Sequence, residues 1–222
     1  MQTNCKSFKA LGIMLCYPEK DWCSNVGRLI DTIHAEKIIA SDDALLLQNF
    51  ANMFASADIM DLQEQYVELF DRSKSLSLHL FEHVHGDSRD RGQAMVDLTN
   101  TYQVNGFDIL PGELPDFLPL FLEFLSLVPR QKAIEMLSEA SHIYAAIAAR
   151  LQQRESVYSS IFEILARLGG EVITKPDIVK TDKAISLADI DKEWEEAPVS
   201  FMGSTSPEKQ CKGGGGCSNC KS

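Results

Sequence analysis

The chain has 222 residues, of which 45% are hydrophobic, and a formal charge of −11, which suits one sizeable core with a polar extension. That charge argues against nucleic acid, whose phosphates it would repel, and favours basic partners. Six cysteines sit at the two ends, Cys5, Cys16 and Cys23 in front and Cys211, Cys217 and Cys220 behind; with none between, they form no disulfide framework and fit reduced thiols in a cytoplasmic protein.

A helical period opens the chain. Phe8, Leu11 and Leu15 recur at i, i+3 and i+7, Pro18 stops that helix, and Trp22, Val26, Leu29 and Ile33 resume the pattern. The apolar run Leu11 to Leu15 is too short and too charged at its borders for a signal peptide or a membrane span. The expectation is a cytoplasmic protein that does not insert into a membrane. Ser41 is the expected N-cap of a third helix, with Asp42 and Asp43 in its first turn and Leu46, Phe50, Met53 and Ala57 on one face. No period-two run of β-branched residues marks a strand, apart from a scrap at Glu171 to Thr174.

From Ile59 the chain becomes both greasy and charged. At about 100° per residue, Ile59, Leu62, Tyr66, Leu69 and Phe70 share one side of a helix, and Asp61, Glu64, Glu68 and Asp71 share the other. Two readings fit the acids: a solvated outer face, or a rim for a basic ligand. A serine-rich loop then leads to Leu76–Val84 and a turn at Gly86. His79 and His83 stand four apart with His85 beyond, but the string lacks the H-E-x-x-H order and a fourth ligand, so satisfied or titrating histidines are expected rather than zinc. Ser88 reads as the next N-cap, Ala94, Met95, Leu98 and Tyr102 as the buried face, and Asn105-Gly106 as the stop. Arg89 and Arg91 in the first turn oppose the helix dipole, which calls for carboxylate partners such as Glu82 or Glu113.

Asp116 is placed to cap the following helix, where Pro119 is tolerated in the first turn. Phe117 to Val128 is apolar nearly all round and belongs at the centre of a bundle; Glu123 inside it must be paired, protonated or at a cleft. After Pro129, the spacing of Ile134, Leu137, Ser141, Tyr144, Ala148 and Leu151 predicts one long helix from Arg130 to about Gln153. Tyr158, Ile161, Leu165 and Leu168 make a last helix closed by Gly169-Gly170. The pattern then decays, giving an expected helical domain over 1–170 and a mobile polar tail over 171–222. The tail ends CKGGGGCSNCK, and its three thiols, Cys211, Cys217 and Cys220, are one short of a closed zinc site. No Gly-rich phosphate loop, G-x-S-x-G or complete metal triad is present, so no enzyme activity and no cofactor are expected.

Several strings carry a resemblance. Y-V-E-L-F-D-R (Tyr66–Arg72), L-F-E-H-V-H-G (Leu80–Gly86), S-R-D-R-G-Q-A-M (Ser88–Met95), E-L-P-D (Glu113–Asp116) and L-E-F-L (Leu122–Leu125) closely resemble the delta-subunit family of respiratory nitrate reductase assembly chaperones, within the all-helical chaperones of molybdenum oxidoreductases. Leu15-Cys16-Tyr17-Pro18 matches the wider group, and Glu196 to Phe201, E-A-P-V-S-F, is similar to the family's C-terminal region. His79 and the cysteine-rich end depart from the family pattern. The resemblance implies an all-α single-domain bundle, not part of the final enzyme, that binds the N-terminal peptide of the apo catalytic (alpha) subunit. It implies that this chaperone keeps the subunit open for insertion of the molybdenum cofactor, delays membrane docking and needs no ATP, with cofactor-biosynthesis proteins as further partners. The client-peptide set is then Tyr66, Glu68, Phe70, Glu82, His83, His85, Arg89, Glu113, Asp116, Leu118, Leu122 and Glu123. Service to a related molybdenum oxidoreductase, a metal- or thiol-binding role, and a plain helical structural subunit are the alternatives.

Overall fold

The computed structural model describes residues 4–86 and 88–171. Among them are eleven α-helices: α1 Lys6–Met14, α2 Lys20–Cys23, α3 Val26–Glu36, α4 Ser41–Ser56, α5 Ile59–Tyr66, α6 Leu80–His85, α7 Asp90–Val104, α8 Leu118–Leu125, α9 Arg130–Glu139, α10 Ser141–Gln153 and α11 Ser159–Leu168. A π-turn, Val67–Asp71, and a 3-10 turn, Lys74–Leu76, follow α5. The only β pairings among the described residues are isolated bridges, so the expected all-α architecture holds. The tail expectations, including its cysteines and E-A-P-V-S-F, lie outside the described residues.

The apolar periodicity becomes a bundle with α8 inside it. Every residue of α8 except Glu123 is buried, and the helix lies mainly against α1. Gly12 makes that approach close: a Cβ there would stand 3.0 Å from the Pro119 carbonyl oxygen and 3.2 Å from Leu122 Cβ, tighter than packed side chains tolerate. The N-terminus of α1 is capped from a distance. The Glu36 carboxylate, at the end of α3, accepts from Cys5 Sγ, Lys6 N, Ser7 N and Ser7 Oγ at 2.7–3.0 Å, satisfying first-turn amides that the local sequence leaves open. On the other side α11 packs on α10 and α4, and Arg167 pairs with Asp43 of α4 and Glu163 of its own helix.

Four expectations are corrected. Ala40, not Ser41, takes the N-cap position of α4, and the Asp43 carboxylate accepts from Ala40 N at 3.2 Å. The buried face of α4 is Leu47, Phe50, Ala51 and Phe54, with Leu46, Met53 and Ala57 only half-buried, because α3 and α11 pack on it from two directions. The long helix after Pro129 breaks at Ala140 into α9 and α10. Gly169 lies against this break, where a Cβ would stand 2.8 Å from Ser141 Cβ. In α7 only Tyr102 is buried; Ala94, Met95 and Leu98 are half-buried, since little but α6 packs on that helix. Its stop at Asn105-Gly106 is as expected: Gly106 has φ 75°, and Gly106 N and Phe107 N bond to the Gln103 and Tyr102 carbonyls, the paired closure of a left-handed C-cap.

Candidate functional site

Two segments far apart in sequence join at their backbones. Leu118 N donates to the Leu78 carbonyl at 2.8 Å and Leu80 N to the Asp116 carbonyl at 3.0 Å, which holds His79 extended beside Phe117. This zipper places the E-L-P-D and L-F-E-H-V-H-G strings side by side. Asp116 does not cap α8; Phe117 holds that position with no side-chain bond. Its carboxylate is instead fully buried and turned back, 3.2 Å from His79 Nδ1, accepting from Phe81 N at 3.3 Å, and 3.7 Å from Arg91 Nη2. Arg91, from the first turn of α7, reaches Glu82 Oε1 at 3.2 Å with the same nitrogen. A buried carboxylate needs this kind of compensation, because stripping its hydration unpaired is costly. Three of the strings that carried the resemblance thus meet in one charge cluster, and the expected pairing of a first-turn arginine with Glu82 is present.

The histidines divide. His79 precedes α6 and faces Asp116, whereas His83 Nε2 lies 2.8 Å from the Ser77 carbonyl and His85 packs edge-on to Phe81. Among the described residues no group of His, Cys, Asp and Glu is arranged to hold a metal ion. The front cysteines are thiols rather than thiolates: burial, with Glu36 adding, pushes Cys5 up to about 11, and burial, with Glu123 and Glu19 adding, pushes Cys16 up to about 11. Protonated sulfur is a poor nucleophile and a poor ligand.

Beside the cluster opens a recess of about 390 Å³, its lining including Phe70, Asp71, Lys74, Ser77, His79 and Glu82. Helix α5 leads into it. Leu62, Tyr66, Leu69 and Phe70 are buried, while Asp61, Glu64, Glu68 and Asp71 are all exposed, as the two-sided helix predicted. The Tyr66 hydroxyl donates to the Leu15 carbonyl at 3.0 Å and Gln63 Nε2 to the Pro18 carbonyl at 2.8 Å, so Leu15-Cys16-Tyr17-Pro18 is the buttress of α5. The π-turn then swings Phe70 and Asp71 toward the recess; such single-turn widenings collect at functional sites. With an aromatic floor and carboxylates on its edge, this recess can take a cationic side chain, apolar stem inward and charge outward.

The twelve expected site residues therefore separate. Phe70 and Glu82 line the recess, with Asp116 behind it; Glu68, Arg89 and Glu113 are exposed, and His83 and His85 half-buried. Tyr66, Leu118 and Leu122 are core residues, reached by a ligand only if the helices part. Glu123 stands elsewhere, paired with Lys9 at 2.7 Å with both side chains about half exposed. Lys74 and Ser77 of the recess were not singled out from the sequence. Arg91 and His79 carried a signal, the first as an arginine in a helix's first turn and the second as a departure within a motif.

A family described as "Nitrate reductase delta subunit" matches residues 37–163. The nitrate reductase molybdenum cofactor assembly chaperone NarJ of Escherichia coli K12 is 41% identical over 193 residues, covering 85% of this chain and 82% of NarJ. NarW of the same organism, described as a probable chaperone of that kind, is 36% identical over 198 residues, 87% of this chain and 83% of NarW. A crystal structure from Archaeoglobus fulgidus, described as a candidate redox enzyme maturation protein, superposes with a TM-score of 0.54 at 20% identity, covering 77% of this chain and 97% of that one, and shows the shared fold. The relatives are thus named for assembly rather than for catalysis, and this chain belongs to the nitrate reductase delta subunit family of molybdenum cofactor assembly chaperones.

Proposed function

We propose that this protein is a dedicated chaperone that binds the N-terminal peptide of the apo catalytic subunit of a respiratory nitrate reductase. It keeps that subunit competent for molybdenum cofactor insertion and delays its docking at the membrane, without hydrolysing a nucleotide. The peptide is held at the recess between the π-turn and α6, with Asp71, Glu82, the α5 acid Glu64 and the π-turn acid Glu68 around a basic residue and Phe70 under its aliphatic stem. The family membership supports the client class. The observation that carries the site is the convergence of three family strings on one buried carboxylate, Asp116, beside an acid-edged recess. Asp116 and Arg91 position the wall of the recess rather than touch the peptide.

Residues 1–170 are proposed as the whole peptide-binding domain. Truncation after Phe201, which removes Cys211, Cys217 and Cys220, then leaves the thermal midpoint and the peptide affinity unchanged. Reading the client requires a pull-down from cells that make the apo catalytic subunit with and without its first residues, and that subunit should be retained only with them. Equal retention of both forms would overturn the N-terminal assignment, and retention of neither would overturn the client.

A further inference from the structure

A second concavity, of about 370 Å³, opens between α1, α3 and the turn that follows α8. It shares no residue with the recess beside α6. Its floor is apolar, from Ala10, Ile13, Leu29 and Leu127, and Lys6 and Lys9 stand among its lining residues. Leu127 is 51% exposed, a leucine presented to solvent in a turn rather than packed. The hydroxyls of the groove are already committed: Thr32 Oγ1 donates to the Arg28 carbonyl and Ser126 Oγ to the Glu123 carbonyl. What remains for a ligand is grease and positive charge.

Two carboxylates stand nearby, but neither lines the groove. Glu36 keeps its charge and turns its oxygens to four bonds at the start of α1, and Glu123 offsets part of the Lys9 charge through one oxygen in a half-exposed pair that leaves other ammonium donors open. The Lys6 ammonium forms no ion pair among the described residues. On a chain of net charge −11, an apolar groove bordered by two lysines selects against the cationic peptides that the acid-edged recess favours. Its length also fits a helix, because Lys6, Lys9, Ala10 and Ile13 follow one α1 face at i, i+3, i+4 and i+7, about 10 Å or two turns.

We infer that this groove is a second docking surface, for an acidic amphipathic helix whose apolar stripe packs on Ile13, Leu29 and Leu127 while its flanking carboxylates meet Lys6 and Lys9. A chaperone with two surfaces of opposite preference grips a client at two chemically distinct segments, neither of which competes for the other's place.

Fluorescence anisotropy with the full chain tests this. The probe is a capped peptide of about fifteen residues with leucines at i, i+3, i+4 and i+7 and glutamates on both flanks; the control replaces those glutamates by lysines. The glutamate peptide should bind at least about tenfold more tightly than the lysine peptide. Lys6→Glu combined with Lys9→Gln, and separately Leu127→Asp, should each weaken it about tenfold at an unchanged thermal midpoint, because all three side chains are exposed. Equal binding of the two peptides, no binding of either, or indifference to these variants would overturn the inference, as would sedimentation showing that the groove is occupied by a second copy of the chain. The reductase N-terminal peptide, titrated in parallel, should bind the variants as it binds the parent, which separates failure of this surface from failure of the recess.

Discussion

Neighbours in sequence, α7 and α8 are held in place by opposite means. Helix α8 buries every residue but Glu123; α7, at fifteen residues, buries only Tyr102. Area holds the first, and a few polar points hold the second: the Tyr102 hydroxyl on the Pro115 carbonyl at 2.7 Å, Arg91 on Glu82 and Asp116, and the glycine closure at Gly106. The bundle draws its stability from α1, α8, α10 and α11, and the candidate site takes its charged residues from the π-turn, α6, the segment before α8 and the first turn of α7 beside them. Elements held by few apolar contacts sit at the low end of local stability and are where binding surfaces are commonly found.

The comparison is broken most directly by substitutions in the two helices. Phe124→Ala in α8, where the ring packs on Tyr102 and Phe107, should cost about 3–5 kcal/mol in urea unfolding. Val96→Ala on the exposed side of α7 should stay within about 0.5 kcal/mol; similar losses at both positions would remove the distinction. Next in size is the polar anchor. Asp116→Ala leaves Arg91 with Glu82 alone and Phe81 N without its acceptor, and should cost about 3 kcal/mol, against almost nothing for the exposed Asp97→Ala.

A smaller effect separates the distant cap from the core. Burial alone would raise the Glu36 carboxyl, but hydrogen bonds from Cys5, Ser7 and Lys6 together outweigh it and hold the group below its ordinary value. A carboxyl lowered on folding contributes stability that is present above its unfolded value and lost as the pH falls through its folded one. Glu36→Gln should therefore cost about 1 kcal/mol at neutral pH, the size of a partly exposed cap, and the difference from the parent should vanish in acid. A gap that persists at low pH would mean that shape, not charge, caps α1. The smallest effect has the opposite sign. Glu155 closes α10 at φ 52°, with its own N–H on the Gln152 carbonyl and Ser156 N on the Leu151 carbonyl; Glu155→Gly should stabilise by about 0.5 kcal/mol by relieving the left-handed backbone.

Local patterns in the sequence were enough for the helices, the two-sided α5 and the glycine closures of α7 and α11, because each depends on residues within a turn or two. The misses share a cause of the opposite kind. Ala140 is a good helix former, and the break there coincides with the approach of Gly169 from α11. Asp116 had the spacing of an N-cap, but a buried carboxylate goes to its strongest donors, and those lie on α6 and α7. The Glu36 cap joins residues about thirty positions apart, and the pairing of Glu123 with Lys9 joins neighbouring helices whose residues stand 114 positions apart. At the candidate site the motif strings meet around Asp116, while Tyr66, Leu118 and Leu122, expected as contact residues, lie in the core; apolar residues at a groove and in a core share one period, so spacing does not separate the two.

The central claim is that the acid-edged recess holds the catalytic subunit's N-terminal peptide. Calorimetric titration of that peptide into the parent chain and into an Asp71→Asn/Glu82→Gln variant, at low and physiological salt, tests it most directly. Glu82→Gln keeps an acceptor for Arg91, so the thermal midpoint should hold. The account predicts that the parent binds more weakly as the Debye length shortens to about 8 Å, and that the variant loses at least about tenfold in affinity together with most of that salt dependence. Unchanged affinity and an unchanged salt dependence in the variant would contradict it.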